Sequence, residues 1–348
     1  MSETKPGAKQ DAPLMNNQGT PAPATSASPS ALVNADPWAA LRRHTPARIA
    51  LGRAGPGLPT REVLGFSLAH ARARDAVHQV LDLDRLEAGL RADGYAPLRA
   101  HSAAPDRMTY LTRPDLGRQL DAASARLLEE AGARMGAGAG ERAFAGGDAR
   151  ALDAAGGGTP GGAAPACDIA IAVADGLSAV AVQRHVLPLL AALRAQAPSR
   201  WSGVPLVLGL QGRVALGDAI GERLRARLVV MMIGERPGLS SPDSLGLYVT
   251  YAPRGGRSDA ERNCISNVRP QGLGYAEAAR KLDWLAGAAL ARGLTGIALK
   301  DDSEALVGGE ALMGAEALPQ STALPGDAST RENVPPLPGN AALPGELA

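Results

Sequence analysis

The feature that most constrains the fold is an alternation of short apolar runs with helix-like segments in the second half of the chain. Four runs read as strands, "CDIAIAVAD", "VPLVLGLQG", "RLVVMMIG" and "LGLYVTYAP". The helical segments are "LSAVAVQRHVLPLLAALRAQ", "LGDAIGERLRA" and, after the fourth strand, "YAEAARKLDWLAGAALARG", which should end near Gly293. This alternation predicts an α/β fold with a doubly wound, mainly parallel sheet.

Ligands of such sheets bind at the carboxyl ends of the strands. That rule gathers Asp175, the loop from Gln211 to Val214 and the loop from Gly234 to Arg236 on one rim. Glu235 and Arg236 follow a buried strand directly, and a charged pair in that position indicates ligand chemistry. Asp175 precedes a helix, so we interpret it as a helix cap rather than as a residue that orients a catalytic base.

Composition excludes several classes of partner. The chain has 36 basic and 35 acidic residues and only 3% aromatic residues, which argues against binding to nucleic acid or to an anionic membrane. Its two cysteines, Cys167 and Cys264, are too few for a disulfide framework or a four-ligand zinc site. The start "MSETKPGAKQDAP" lacks the apolar core of a secretory signal, and no apolar run approaches the ~20 residues of a membrane span. We expect a soluble, cytoplasmic protein.

Low-complexity segments divide the chain. Residues 1–30 predict a disordered tail, because they contain almost no bulky apolar residue. A Gly-rich run at 132–166 and a Pro/Gly-rich extension at 303–348 are interpreted as flexible insertions. Between the tail and the C-terminal extension we expect a helical N-terminal region at 31–100 and a sheet domain at 101–302, which contains the Gly-rich insertion.

The N-terminal region carries a helix that should begin at Arg61, with Thr60 as its N-cap, and present Leu64, Leu68 and Ala71 on one face. An earlier helix should open at "DP", since Asp caps and Pro suits the first turn.

A polar stripe of His70, Arg74 and His78 follows one face of the helix from Arg61. It is interpreted as a solvated face or as a subunit contact, since no metal-ligand spacing accompanies it.

Several catalytic motifs are absent from the sequence. The Gly-rich runs do not lie between a strand and its helix, so they do not form a dinucleotide site. The patterns G-x-x-x-x-G-K-[ST], G-x-S-x-G and H-E-x-x-H do not occur. Ser178, His185 and Asp175 are crowded on one strand–turn–helix, which gives little support to a catalytic triad. A free-standing nucleotide-binding or sugar-binding enzyme and a scaffold protein without a ligand remain the alternatives.

Seven segments in order resemble a known family. They are "DPWAALRRHTPARIALGRAGPGLPT", "FSLAHARARDAV", "YLTRPDLGRQL", "IAVADGLSAVAVQRH", "QGRVALGDAIGE", "IGERPGLSSPDSLG" and "RNCISNVRPQGLGYAEAARKL". Together they run from about Asp36 to about Asp301 and resemble the small (light) subunit of ethanolamine ammonia-lyase.

The resemblance implies an adenosylcobalamin-dependent lyase that converts ethanolamine to acetaldehyde and ammonia by a radical route. It implies a Rossmann-like cobalamin-binding domain in this chain, a TIM-barrel large subunit with the substrate site, and cobalamin between the two. The family further suggests a hexamer of heterodimers and no activity of the small subunit alone. Its association with bacterial microcompartments stays open, because the Pro-rich tail does not favour an amphipathic targeting helix.

Three residues are the cobalamin contacts that the resemblance implies: Val214, Glu235 and Cys264. Val214 offers apolar surface and backbone groups in a strand-to-helix loop, Glu235 is an acceptor for amide or hydroxyl donors, and Cys264 is small enough for close approach. Taken singly, they would be interpreted as a core valine, a surface ion pair with Arg236 and a buried apolar filler. No D-x-H-x-x-G run occurs, so the dimethylbenzimidazole base should stay on cobalt.

Overall fold

The computed structural model describes residues 36–145 and 164–303. The predicted tail at 1–30, the residues from 304 onward and the middle of the Gly-rich run, 146–163, lie outside the described residues. The helices are α1 (Thr60–His78), α2 (Leu83–Ala92), α3 (Arg107–Thr112), α4 (Ala122–Ala145), α5 (Ala179–Gln196), α6 (Pro198–Trp201), α7 (Leu216–Arg223) and α8 (Tyr275–Arg292). The strands are β1 (Leu98–His101), β2 (Cys167–Ala174), β3 (Leu206–Leu210), β4 (Ala226–Gly234), β5 (Leu245–Tyr251) and β6 (Asn263–Val268).

The six strands form one sheet in the order β1-β3-β2-β4-β5-β6. Neighbours from β1 to β4 are parallel, whereas β5 runs antiparallel to β4 and β6 antiparallel to β5. The α/β prediction is therefore confirmed, but the sheet is mixed and the expectation of a mainly parallel sheet holds only for β1–β4. The reason is the connection 235–244, which contains no helix. A parallel crossover needs about a dozen residues or more, usually including a helix.

Helices cover both faces of the central strand β2. Ile171 and Val173 point to the core shared with α5 and α8, whereas Ala172 and Ala174 point to the core shared with α4 and α7. We call these two sides of the sheet the α5–α8 side and the α4–α7 side. Burial on both sides explains why β2 reads as a continuous apolar run.

Several local predictions are confirmed. The Asp36 carboxylate accepts a hydrogen bond from Trp38 N at 2.9 Å and caps a 3-10 helix at Pro37–His44. Helix α8 ends at Gly293, whose φ of 69° is the left-handed conformation that glycine adopts without strain.

The Gly-rich run begins inside a helix rather than in a loop. Helix α4 continues to Ala145, so residues 132–145 are helical. A Cβ added to Gly132 would lie 2.5 Å from the backbone oxygen of Arg223. This glycine therefore lets α4 approach the end of α7, and the run is part of the packed fold at this point. The division of the chain into an N-terminal region, a sheet domain and insertions otherwise stays a prediction.

Helix α1 stands out because its apolar residues face solvent. Leu64 and Leu68 are 63% and 52% exposed, and only Ala69 and Ala76 of this helix are buried. The stripe of His70, Arg74 and His78 is also exposed. In the described part of the chain, no helix has the length and apolar character needed to cross a membrane.

Candidate functional site

The crevice between the ends of β2 and β3 is filled by the protein itself. Asp175, directly after β2, is buried, and its carboxylate accepts hydrogen bonds from Gly176 N (3.0 Å) and Gly212 N (3.2 Å). The Arg107 guanidinium pairs with Asp175 at 3.3 Å and donates to the carbonyl of Gly176 at 2.8 Å. Burial raises the pKa of Asp175 to about 6. Asp175 is therefore not the helix cap that the sequence suggested, because Ser178 caps α5.

Ser178 and His185 do not form a triad with Asp175. The Ser178 hydroxyl donates to the carbonyl of Pro242 at 2.8 Å. Nδ1 of His185 is 2.8 Å from the Tyr275 hydroxyl, and its Nε2 is 3.6 Å from the carboxylate of Asp243. Burial lowers the pKa of His185. These contacts hold the loop 235–244 against α5 and α8 rather than activating a nucleophile.

Glu235 lies at the end of β4 and is half-buried. Its Oε2 accepts hydrogen bonds from the Ser244 hydroxyl and from Asn267 N, the latter at 3.2 Å. Its own N–H donates to the carbonyl of Ser244 at 2.9 Å. Among the described residues, no ion pair joins Glu235 to Arg236, so the interpretation as a surface ion pair is wrong.

Cys264 lies on β6 and is exposed, which rules out its interpretation as a buried filler. Its Sγ is 3.2 Å from the hydroxyl of Ser266, and its strand partner on β5 is Tyr248. Burial raises the pKa of Tyr248, and the neighbouring Cys264 and Glu235 raise it further.

Val214 lies in the turn between β3 and α7 and is half-buried. Its side chain packs against the core on the α4–α7 side, and its carbonyl accepts a hydrogen bond from Gly217 N at 3.0 Å. The structure therefore gives this residue both a packing role and a place at the carboxyl end of β3.

The three predicted contacts lie on the same side of the sheet. Tyr248 and Val214 pack against the α4–α7 core, strand pairing places Cys264 beside Tyr248, and the Glu235 carboxylate lies over Gly246 next to the Tyr248 ring. On this side α7 packs on β4, while Cys264 and Ser266 are exposed. We call the surface made by Glu235, Gly246, Tyr248, Cys264 and Ser266 the β5–β6 face.

A buried ion pair fixes α7 at one end of this face. Arg262, just before β6, pairs with Asp218 of α7, and both side chains are 3% exposed. Arg262 also pairs with Asp259 at 2.7 Å. Burial raises the pKa of Asp218, and Arg262 opposes that shift. The pair joins the helix to the antiparallel part of the sheet.

Two cavities of about 340 Å³ lie elsewhere. One is lined by residues that include Cys167, Arg200 and Leu290, and the other by Glu129 and Arg223 among others. Neither includes a predicted contact.

Within residues 36–145 and 164–303, no three His, Cys, Asp or Glu side chains are grouped so as to bind a metal ion. The β5–β6 face, in contrast, offers hydrogen-bond acceptors, the ring of Tyr248 and small side chains. This combination suits the binding of a large ligand.

Sequence reasoning missed the residues that shape this face. Ser244 and the bulge at Asn267, where β6 shifts its register and φ is 60°, have no distinctive sequence pattern. Gly246 carries a usable signal, because a glycine inside a strand often marks the close approach of another group.

Sequence comparison with known proteins identifies the family of this chain. The family model described as ethanolamine ammonia-lyase light chain (EutC) matches residues 35–137 and 149–300. The ethanolamine ammonia-lyase small subunit of Ralstonia nicotianae is 56% identical over 79% of this chain and 92% of its own length. Those of Azotobacter vinelandii and Pseudomonas paraeruginosa are 53% and 54% identical over 77% of this chain and 90% and 89% of theirs. The chain belongs to the ethanolamine ammonia-lyase small-subunit family.

Proposed function

We propose that this chain, as the small subunit of an adenosylcobalamin-dependent ethanolamine ammonia-lyase, supplies one wall of the cobalamin site. The observation that carries the proposal is the β5–β6 face, which brings Glu235 and Cys264 together on an open part of the sheet, on the same side as Val214. The helix-covered strands β1–β4 would form a Rossmann-like frame behind it.

The residues of the face fit the chemistry of cobalamin. The rim of the corrin carries amide groups, which donate hydrogen bonds through their NH₂, and Glu235 presents a carboxylate that only accepts when ionised. Tyr248 offers ring surface, while Cys264 and Ser266 are small enough to let a large ring system approach. This arrangement matches a ligand recognised by its shape and by a few polar contacts.

In the proposed mechanism, the small subunit binds and orients but does not react. When bound, adenosylcobalamin would supply the radical chemistry of the reaction. Glu235 would accept from an amide or ribose donor, Val214 would pack against the ring edge, and α7 would keep water from one side. The large subunit would hold ethanolamine and the radical chemistry. His185 is buried between Tyr275 and Asp243, so we assign it no role as a cobalt ligand.

The exposed face of α1 supports the proposal that this chain binds a protein partner. Leu64 and Leu68 lie one turn apart on a helix that buries only two of its own side chains. Contiguous exposed apolar residues of this kind mark interaction surfaces. We propose that the large subunit covers them in a hexamer of heterodimers. We also propose a cytoplasmic location, where the free thiol of Cys264 stays reduced.

The division of labour predicts that the isolated chain does not turn over ethanolamine. Purified chain mixed with adenosylcobalamin and ethanolamine should form no acetaldehyde. Acetaldehyde should appear only after the large subunit is added. Acetaldehyde formation by the chain alone would instead support the alternative of a free-standing enzyme.

The placement of Cys264 predicts selective protection from alkylation. Its exposed thiol should react with iodoacetamide in the free chain, whereas Cys167 should react slowly because burial raises its pKa to about 11. With the large subunit and cobalamin present, we expect alkylation of Cys264 to slow at least 10-fold relative to the complex without cobalamin. Mass spectrometry of the peptides measures both rates, and Cys167 serves as the internal control. Equal rates with and without cobalamin would favour a scaffold protein whose β5–β6 face binds no ligand.

A further inference from the structure

The two carboxylate oxygens of Glu235 have different surroundings. Oε2 accepts hydrogen bonds from the Ser244 hydroxyl and from Asn267 N. Within the part of the chain that the structure describes, no protein donor reaches Oε1. Ser244 is only 5% exposed, so its hydroxyl is a buried donor committed to this carboxylate. The bulge of β6 directs the Asn267 N–H at the same oxygen. Hydrogen bonds to water alone would not hold Oε2 in one position.

Gly246 forms the floor beneath this side chain. A Cβ added to Gly246 would lie 2.9 Å from Oε1 of Glu235, 3.0 Å from its Cγ and 3.2 Å from Cε2 of Tyr248. The absence of a side chain at this position therefore lets the carboxylate lie flat on β5 beside the tyrosine ring. Gly246 faces the same side as Tyr248 because alternate residues of a strand share a face.

We propose that Ser244 and Gly246 are positioning residues that make Oε1 of Glu235, rather than Oε2, the carboxylate oxygen presented to the ligand. The inference rests on the proposed function and adds the chemistry of that subsite. A carboxylate with both hydrogen bonds on one oxygen and the other oxygen free accepts from a donor, such as an amide NH₂ or a hydroxyl, in one orientation. Rotation of the carboxylate would break both bonds to Oε2, so the orientation is set before the ligand arrives.

The test is a double-mutant cycle on cobalamin affinity. Full-length chain is reconstituted with the large subunit and titrated with adenosylcobalamin, and binding is followed by the absorbance change of the cofactor. We expect Glu235→Ala to weaken affinity roughly 10- to 150-fold, as for loss of a charged hydrogen-bonding partner. Ser244→Ala should weaken it about 3- to 10-fold in wild type and less than about 2-fold in the Glu235→Ala background.

Equal effects of Ser244→Ala in both backgrounds would overturn the positioning role and leave the proposed cobalamin site intact. An unchanged affinity for Glu235→Ala would instead remove Glu235 from the proposed site.

Gly246→Ala gives a second, steric test. The added methyl group displaces the carboxylate end of a side chain rather than backbone, so we expect normal folding and a loss of affinity about as large as that of Glu235→Ala. The control is Gly274→Ala, because a Cβ at Gly274 would meet nothing within 4 Å. Wild-type affinity in a folded Gly246→Ala complex would contradict the inference.

Discussion

Arg262→Ala is expected to destabilise the protein by about 3–5 kcal/mol, because it leaves the Asp218 carboxylate buried without its cation. The guanidinium also bonds Asp259 and the carbonyl of Arg257, so its removal frees several groups at once. Urea unfolding of the full chain, followed by circular dichroism, measures the change in the free energy of unfolding.

The control for this prediction is Arg254→Ala. Arg254 lies in the same connection between β5 and β6 as Arg262, but it is exposed. Its replacement should change the free energy of unfolding by less than about 0.5 kcal/mol. The double variant Arg262→Ala/Asp218→Ala should be more stable than Arg262→Ala, since no unpaired charge remains buried. A loss below about 1 kcal/mol for Arg262→Ala would show that water reaches the pair.

The second large effect concerns assembly. Leu64→Asp/Leu68→Asp should weaken binding of the large subunit by at least about 100-fold. Each leucine loses roughly 1.5–3 kcal/mol of burial at the proposed contact, and each new carboxylate would have to lose its water there. The variant should fold normally, because both side chains are already exposed in the chain itself. Co-elution with the large subunit in size-exclusion chromatography, over a range of concentrations, measures the loss.

Ile297→Asp is the matched control for that experiment. Ile297 is 84% exposed but lies in a 3-10 turn after α8, far along the chain from α1. Its replacement should leave assembly unchanged. If Leu64→Asp/Leu68→Asp still co-elutes at wild-type concentrations, the large subunit binds another surface.

The strands that could be predicted from the sequence are those made mostly of buried residues. Strands β2 to β5 have long apolar runs, whereas β1 has four residues, of which only Ala100 is buried, and β6 buries only Ile265 and Val268. The apolar runs alone predict a mainly parallel sheet, whereas the helix-free connection before β5 makes that strand antiparallel. That length of connection was visible in the sequence and favours an antiparallel neighbour.

The candidate site was less accessible to sequence reasoning. A local rule assigned Asp175 to the cap of α5, but its carboxylate binds Arg107, which is distant in sequence. Glu235, Cys264 and Val214 were named through a family resemblance, and only strand pairing shows that they share one side of the sheet. Register and bulges depend on how strands pair, so Ser244 and Asn267 became visible only in three dimensions.

The two outer strands of the sheet have a consequence for the subunit before it meets its partner. A strand edge with unpaired backbone groups is a template for fibrous aggregation. Here β1 is short and carries Arg99, which is bonded to Glu87, and β6 is interrupted by the bulge at Asn267. Both devices discourage strand addition. Newly made subunits that expose the apolar face of α1 would therefore associate through side chains, a reversible contact that the true partner can displace, rather than through irreversible growth of the sheet.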